Sequence, residues 1–160
     1  MIFAVASDHA GFRVKEMAKE VLEAKGVQVR DYGTHSEESV DYPDFGRQAI
    51  EAVCAGEATC GLLVCGSGIG MSIVANKFPG IRAALVYDEH AAQLSRKHND
   101  ANVLVLPGWK LQERGEIERI ITAWLSTAFE GGRHQRRIDK IRHIEESVRR
   151  CETTKKPFLG

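Results

Sequence analysis

Short apolar runs alternate with amphipathic stretches along nearly the whole chain, and this alternation limits the fold more than any other feature. Ile2 to Ala6, Val27 to Asp31, Cys60 to Cys65, Ile81 to Val86 and Asn102 to Leu106 each read as a short strand. Between the first two, Phe12 to Lys25 places Val14, Met17, Ala18, Val21 and Leu22 at helical spacing and stops at Gly26. Pro43 suits the first turn of a helix ending near Ala55. Further helices are predicted over Met71–Lys77, from Asp88 to Lys97, and over Glu113–Phe129. A last, strongly charged helix is predicted over His134–Arg150. Repeated strand–helix alternation points to a parallel sheet covered by helices on both faces. The expected class is α/β: three layers, a mainly parallel five-stranded sheet and a C-terminal helix.

The 160 residues suit one domain, expected over 1–150 with a flexible tail at 151–160. The 22 basic and 22 acidic residues cancel, so nothing suggests broad nucleic-acid binding. No apolar run approaches the roughly 20 residues a membrane span requires. Met1-Ile-Phe-Ala-Val-Ala lacks a basic n-region and a cleavage site, so a cytoplasmic location is expected. Cys54, Cys60, Cys65 and Cys151 show no C-x-x-C spacing, and reduced thiols are expected. Cys54 and Cys60 fit as small packing residues.

Cys65 differs because it ends the apolar run Leu62 to Val64 and enters Gly66-Ser-Gly-Ile-Gly70. A thiol at the carboxyl end of a strand stands where open α/β sheets bind ligands. Alternate glycines let the backbone approach a ligand and aim several N–H groups at one oxyanion. In such a place a thiol is expected to ionise more readily than a free one. A core cysteine at a strand end remains the alternative. The dinucleotide fingerprint fails because Met71 stands where its third glycine is required, and no Walker A pattern is present. Met71 also occupies the arginine position of cysteine-dependent phosphatases, which removes their phosphate clamp.

Three further clusters could carry chemistry. Asp8 and His9 follow the first strand and could bind sugar hydroxyls, or Asp8 could simply cap a helix. His98 and Asn99 precede the fifth strand and suit proton transfer and oxyanion binding, or form a solvated loop. Arg133 and Arg137 share a helix face and could clamp phosphate, or belong to a solvated basic helix. Ile138, Ile141, Ile144 and Val148 form a narrow stripe on that helix, fit for its own domain or a second subunit.

Together these segments resemble the ribose-5-phosphate isomerase B family, which includes galactose-6-phosphate isomerase subunits. The resemblance rests on Ser7-Asp-His-Ala-Gly-Phe12, Val40-Asp-Tyr-Pro43, Val64-Cys-Gly-Ser-Gly-Ile-Gly-Met-Ser72, residues 75–83, residues 92–104 and Phe129-Glu-Gly-Gly-Arg-His134, in family order. It implies a Rossmann-like fold and a dimer, or a dimer of dimers, with active sites at the subunit interface. It also implies metal-free, cofactor-free interconversion of an aldose phosphate and a ketose phosphate. By that resemblance Cys65 is the base that moves a proton between C1 and C2. Gly66, Ser67, Gly68, Ile69 and Gly70 hold the enediolate oxygen. His98 assists ring opening with Asp8 nearby, and His9, Tyr42, Asn99, Arg133 and Arg137 contact substrate. The helix after Cys65 has no acid, so no carboxylate there replaces the thiol.

One departure bears on the substrate. Leu106-Pro-Gly-Trp-Lys110 carries an extra residue and puts Lys110 where family members commonly have a phosphate-binding arginine. Lys110 would act as a point charge, without bidentate geometry. The leading expectation is ribose 5-phosphate and ribulose 5-phosphate. A tetrose or hexose phosphate, or a non-catalytic sugar-phosphate-binding subunit, are the alternatives.

Overall fold

Five strands, β1 (Ile2–Ser7), β2 (Gln28–Asp31), β3 (Cys60–Cys65), β4 (Ala83–Leu85) and β5 (Val103–Pro107), form one sheet in the order β2-β1-β3-β5-β4, and every neighbouring pair runs parallel. The computed structural model describes residues 1–154, with side chains to residue 150. The helices are α1 (Phe12–Ala24), α2 (Tyr42–Cys54), α3 (Ile69–Ala75), α4 (Glu89–Asn99), α5 (Arg114–Ser126) and α6 (Arg133–Thr154). The expected class holds.

The strand pleat divides the core. Phe3, Val5, Leu62, Val64, Leu104 and Leu106 face α1, α5 and Ala92 of α4. Ala4, Ala6, Leu63, Cys65, Val103 and Val105 face α2 and α3. The central strand β3 is buried throughout, which explains its unbroken apolar run. Each of its leucines contributes roughly 1.5–3 kcal/mol by burial.

Helix ends differ from the sequence pattern in telling ways. The predicted Met71 start moves to Ile69, because Gly68 takes a left-handed φ of 76° and turns the chain into α3 at once. α4 runs past Lys97 to Asn99 and ends at Asp100, which adopts a φ of 44°. Arg82 and Arg96 each reach the Asp100 carboxylate at 3.0 Å and hold that end in place. α5 stops at Ser126, before the predicted Phe129. α6 continues to Thr154, and the rest of the expected tail, 155–160, lies outside the described residues. Along α6, Ile141, Ile144 and Val148 are exposed. No helix among the described residues is long and apolar enough to cross a membrane.

Candidate active site

Two groups of candidate residues gather at opposite ends of the sheet. Cys65 closes β3 at its carboxyl edge, in register with Pro107, the last residue of β5. Backbone rather than side chain fixes this place. Gly108 N–H donates to the Cys65 carbonyl at 2.9 Å, and Trp109 N–H donates to that of Gly66 at 2.8 Å. A Cβ on Gly108 would meet the Ala10 carbonyl oxygen at 2.9 Å, and one on Gly11 would meet the Val64 backbone at 2.8 Å. Glycine at both positions lets three chain segments close around the strand end.

The loop after Cys65 folds back on the thiol. The backbone N–H groups of Met71, Gly68 and Gly70 lie around its sulfur and favour the thiolate. Two of the donors expected to serve a substrate oxygen, those of Gly68 and Gly70, thus act on Cys65 itself. Ser67 Oγ accepts from Ile69 N–H at 3.2 Å and braces the same turn. The expected easy ionisation of Cys65 does not follow. Burial pushes its thiol above the ordinary value, and the three N–H groups oppose this without reversing it. The Asp8 carboxylate adds to the rise. Position at a strand end did not reveal how fully the thiol is removed from water.

Asp8 combines both readings offered for it. Its Oδ1 accepts from Gly11 N–H at 2.8 Å as a cap, and its charge is felt at Cys65. His9 Nδ1 accepts from Val40 N–H at 3.2 Å and ties the 32–41 loop to this edge. In the neutral ring that leaves the proton on Nε2. Tyr42 opens α2 with its ring against Gly70, where a Cβ would lie 2.7 Å from Cζ. The Trp109 ring covers Gly66 in the same way and is otherwise 73% exposed. Lys110 Nζ lies 5.2 Å from the centroid of the Tyr87 ring, on the same edge.

The second group lies at the far end. His98 and Asn99 occupy the last turn of α4, not a loop, and α4 leads into the start of β5. Four residue steps of about 3.3 Å along β5, roughly 13 Å, separate that start from the strand end beside Cys65. The His98 ring stacks on that of His134, with centroids 4.3 Å apart and planes 5° from parallel. Glu130 Oε2 lies 3.8 Å from His98 Nε2 and 3.5 Å from His134 Nε2. Arg133 Nε donates to His134 Nε2 at 3.3 Å, and Arg137 Nη1 lies 3.4 Å from His134 Nδ1. Desolvation lowers the His134 pKa, with His98, Arg133 and Arg137 adding to the effect and Glu130 opposing it. Sequence reasoning overlooked His134 and Glu130, because only the fold shows that they touch His98.

The ligand atoms of His98, Glu130 and His134 lie within 4.8 Å of one another, close enough for a metal ion. The two guanidinium groups at His134 oppose a cation there and suit an anion.

This is a doubly wound α/β enzyme, an aldose–ketose isomerase with a thiol at the carboxyl edge of its sheet. A family model described as Ribose/Galactose Isomerase matches residues 3–141, and the chain belongs to that family. It is 46% identical over 143 residues to ribose-5-phosphate isomerase B of Escherichia coli, covering 89% of this chain and 95% of that protein. The solved ribose-5-phosphate isomerase B of Clostridium thermocellum superposes with a TM-score of 0.89 at 44% identity, covering 92% of this chain and 99% of the other. That of Mycoplasma genitalium, solved with bound ribulose 5-phosphate, superposes with a TM-score of 0.85 at 40% identity, covering 91% and 96%.

Proposed function

We propose that the chain interconverts ribose 5-phosphate and ribulose 5-phosphate in a homodimer whose sites span the subunit interface. The observation that carries this reading is the split between the two groups of residues. Cys65, Asp8, His9 and Tyr42 stand at one end of the sheet, and His98, Asn99, Arg133 and Arg137 at the other. Neither group alone holds both a base for carbon and a clamp for phosphate. A second copy, docked along the exposed stripe of α6, brings one group to the other. The named substrates of the relatives supply the chemical class.

The steps follow from the groups available. The cyclic sugar opens when Asp8 takes the proton of the anomeric hydroxyl and His98 gives one to the ring oxygen. Ionised Cys65 then takes the C2 proton of the aldose, the C1 carbonyl oxygen gains charge, and a cis-enediolate forms. Return of that proton to C1, with a proton passing from O2 to O1, yields the ketose. No metal is required, since N–H donors at Gly66 and Ser67 can meet the developing oxyanion. His9 and Lys110 approach the substrate from the thiol side, and Arg133 and Arg137 hold the phosphate. The proposal includes a cytoplasmic location, in line with free thiols at Cys54, Cys60 and Cys65.

Trp109, exposed beside the loop, favours a second reading on substrate length, with a tetrose or hexose phosphate as the preferred sugar. One experiment addresses both. The protein is incubated in D2O with C4, C5 and C6 aldose phosphates, and deuterium at C2 is followed by NMR. Fastest exchange with ribose 5-phosphate is expected. Exchange with none of them sinks the isomerase reading and leaves a binding subunit. Cys65→Ala should abolish exchange while phosphate still binds, and full activity in that variant would remove Cys65 as the base.

A further inference from the structure

We propose that His134 is a positioning residue, holding the His98 ring in its working plane and aiming Arg133 and Arg137 at the substrate phosphate. The inference rests on the isomerase reading above and assigns a role to a residue that touches neither sugar carbon.

His134 is the only histidine among the described residues that is buried, at 3% exposure. It stands in the first turn of α6, where the chain has just left Gly131-Gly132. Burial of an imidazole is costly unless its polar atoms find partners. Here both nitrogens face guanidinium groups, from Arg133 at 3.3 Å and Arg137 at 3.4 Å. Guanidinium only donates and a neutral imidazole offers one lone pair, so the ring accepts from one arginine while its other nitrogen carries the proton beside the second. Arg133 and Arg137 are themselves exposed and carry long, flexible side chains. A fixed ring between them, bonded to one and packed against the other, removes part of the freedom they would otherwise lose on gripping phosphate.

The face of the ring has a separate task. His98 lies parallel to it at 4.3 Å and keeps 34% of its own side chain exposed. A buried plate behind a half-exposed ring sets the plane of that ring and leaves its edge free for the sugar. Glu130, within 4 Å of a nitrogen on each ring, sits at the seam of the pair. One side chain thus joins the phosphate clamp to the acid–base group through two different surfaces, its edge and its face.

Two variants separate those surfaces. His134→Phe keeps the plate and deletes the nitrogens. His134→Gln keeps an acceptor and deletes the plate. Inorganic phosphate binding to the full-length protein, measured by calorimetry, should weaken roughly tenfold in His134→Phe, as expected for one lost hydrogen bond to a charged group, and stay within about twofold in His134→Gln. KM should follow the same pattern. The upfield ring-current shift of the His98 ring protons, read by NMR, should persist in His134→Phe and vanish in His134→Gln. kcat should fall mainly in His134→Gln. The crossed pattern supports the proposal, whereas parallel loss of both readouts, or loss of neither, overturns it. Phosphate binding and the NMR shift need no turnover. A chain that fails to isomerise any sugar phosphate yet shows both would therefore sink the isomerase reading separately.

Discussion

Cys65 and His98 lie at opposite edges of one parallel sheet, the first beside the end of β5 and the second just before its start. In the proposed interfacial site, the two come from different copies of the chain. Cys65→Ala and His98→Asn variants should each be inactive. Unfolded together in equal amounts and refolded, they should regain about a quarter of wild-type activity, because half of the dimers are mixed and each mixed dimer has one intact site. Refolding without any regain would place the complete site within a single chain.

Activity should rise with pH through the ionisation of Cys65. The thiol is held neutral above its ordinary range, first by burial and further by the negative charge of Asp8. Removing that charge favours the thiolate, so the basic rise in kcat/KM should move to lower pH in Asp8→Asn. Asparagine can still accept from Gly11 N–H, which keeps the cap that Asp8 makes. A profile that does not move, or moves to higher pH, would contradict the coupling.

Lys15 is fully buried and reaches both oxygens of Asp31, at 2.9 and 2.7 Å. Asp31 also accepts from Lys19, and from Gly33 N–H, which starts the loop carrying Val40 toward His9. Asp31→Asn should destabilise the fold by about 3 kcal/mol, the low end for a broken buried pair, since Glu16 still meets Lys15. Burial alone would raise the Asp31 pKa, but Lys15, Lys19 and Gly33 N–H together bring it below the ordinary range. The carboxylate therefore contributes stability above the ordinary carboxyl range and loses it as pH falls through the depressed value. Urea midpoints measured at neutral and acidic pH should show the gap between wild type and Asp31→Asn closing in acid.

Gly68 turns the chain at φ 76°, and a Cβ there would lie 2.4 Å from Leu85 Cδ1. Gly68→Ala should cost about 1–3 kcal/mol of stability through backbone strain. It should also lower kcat more than a remote substitution of equal cost, because the Gly68 N–H serves the thiol. Thermal melts and steady-state kinetics on the same preparation would test both parts.

Hydrophobic runs told where the strands are, and the glycine loop singled out Cys65 among the cysteines. Strand order was beyond that signal. Leu104 and Leu106 read as buried whether β5 sits at an edge or, as it does, between β3 and β4. The start of α3 shifted because a left-handed glycine leaves no trace in apolar spacing. His98 and Asn99 looked like a loop, since the Asp100 turn that ends α4 depends on Arg82 from another strand connection. The direction of the Cys65 shift was misread for a related reason. Local sequence names the donors around a thiol but not how much water the packed core removes. The packing of His134 on His98 was invisible because stacking is a relation between two distant segments.

The place of β5 in the sheet has a consequence for how the protein is made. A chain still on the ribosome, with nothing past residue 102 released, has β3 at an open edge and β4 without its one neighbour, β5. Three-fifths of the sheet can assemble early, but its free apolar edge is a surface for unwanted association until residues 103–107 arrive. A stop codon placed just before Val103 should therefore yield not a smaller folded domain but aggregate. The strand synthesised last is the keystone that joins β4 to the rest of the sheet.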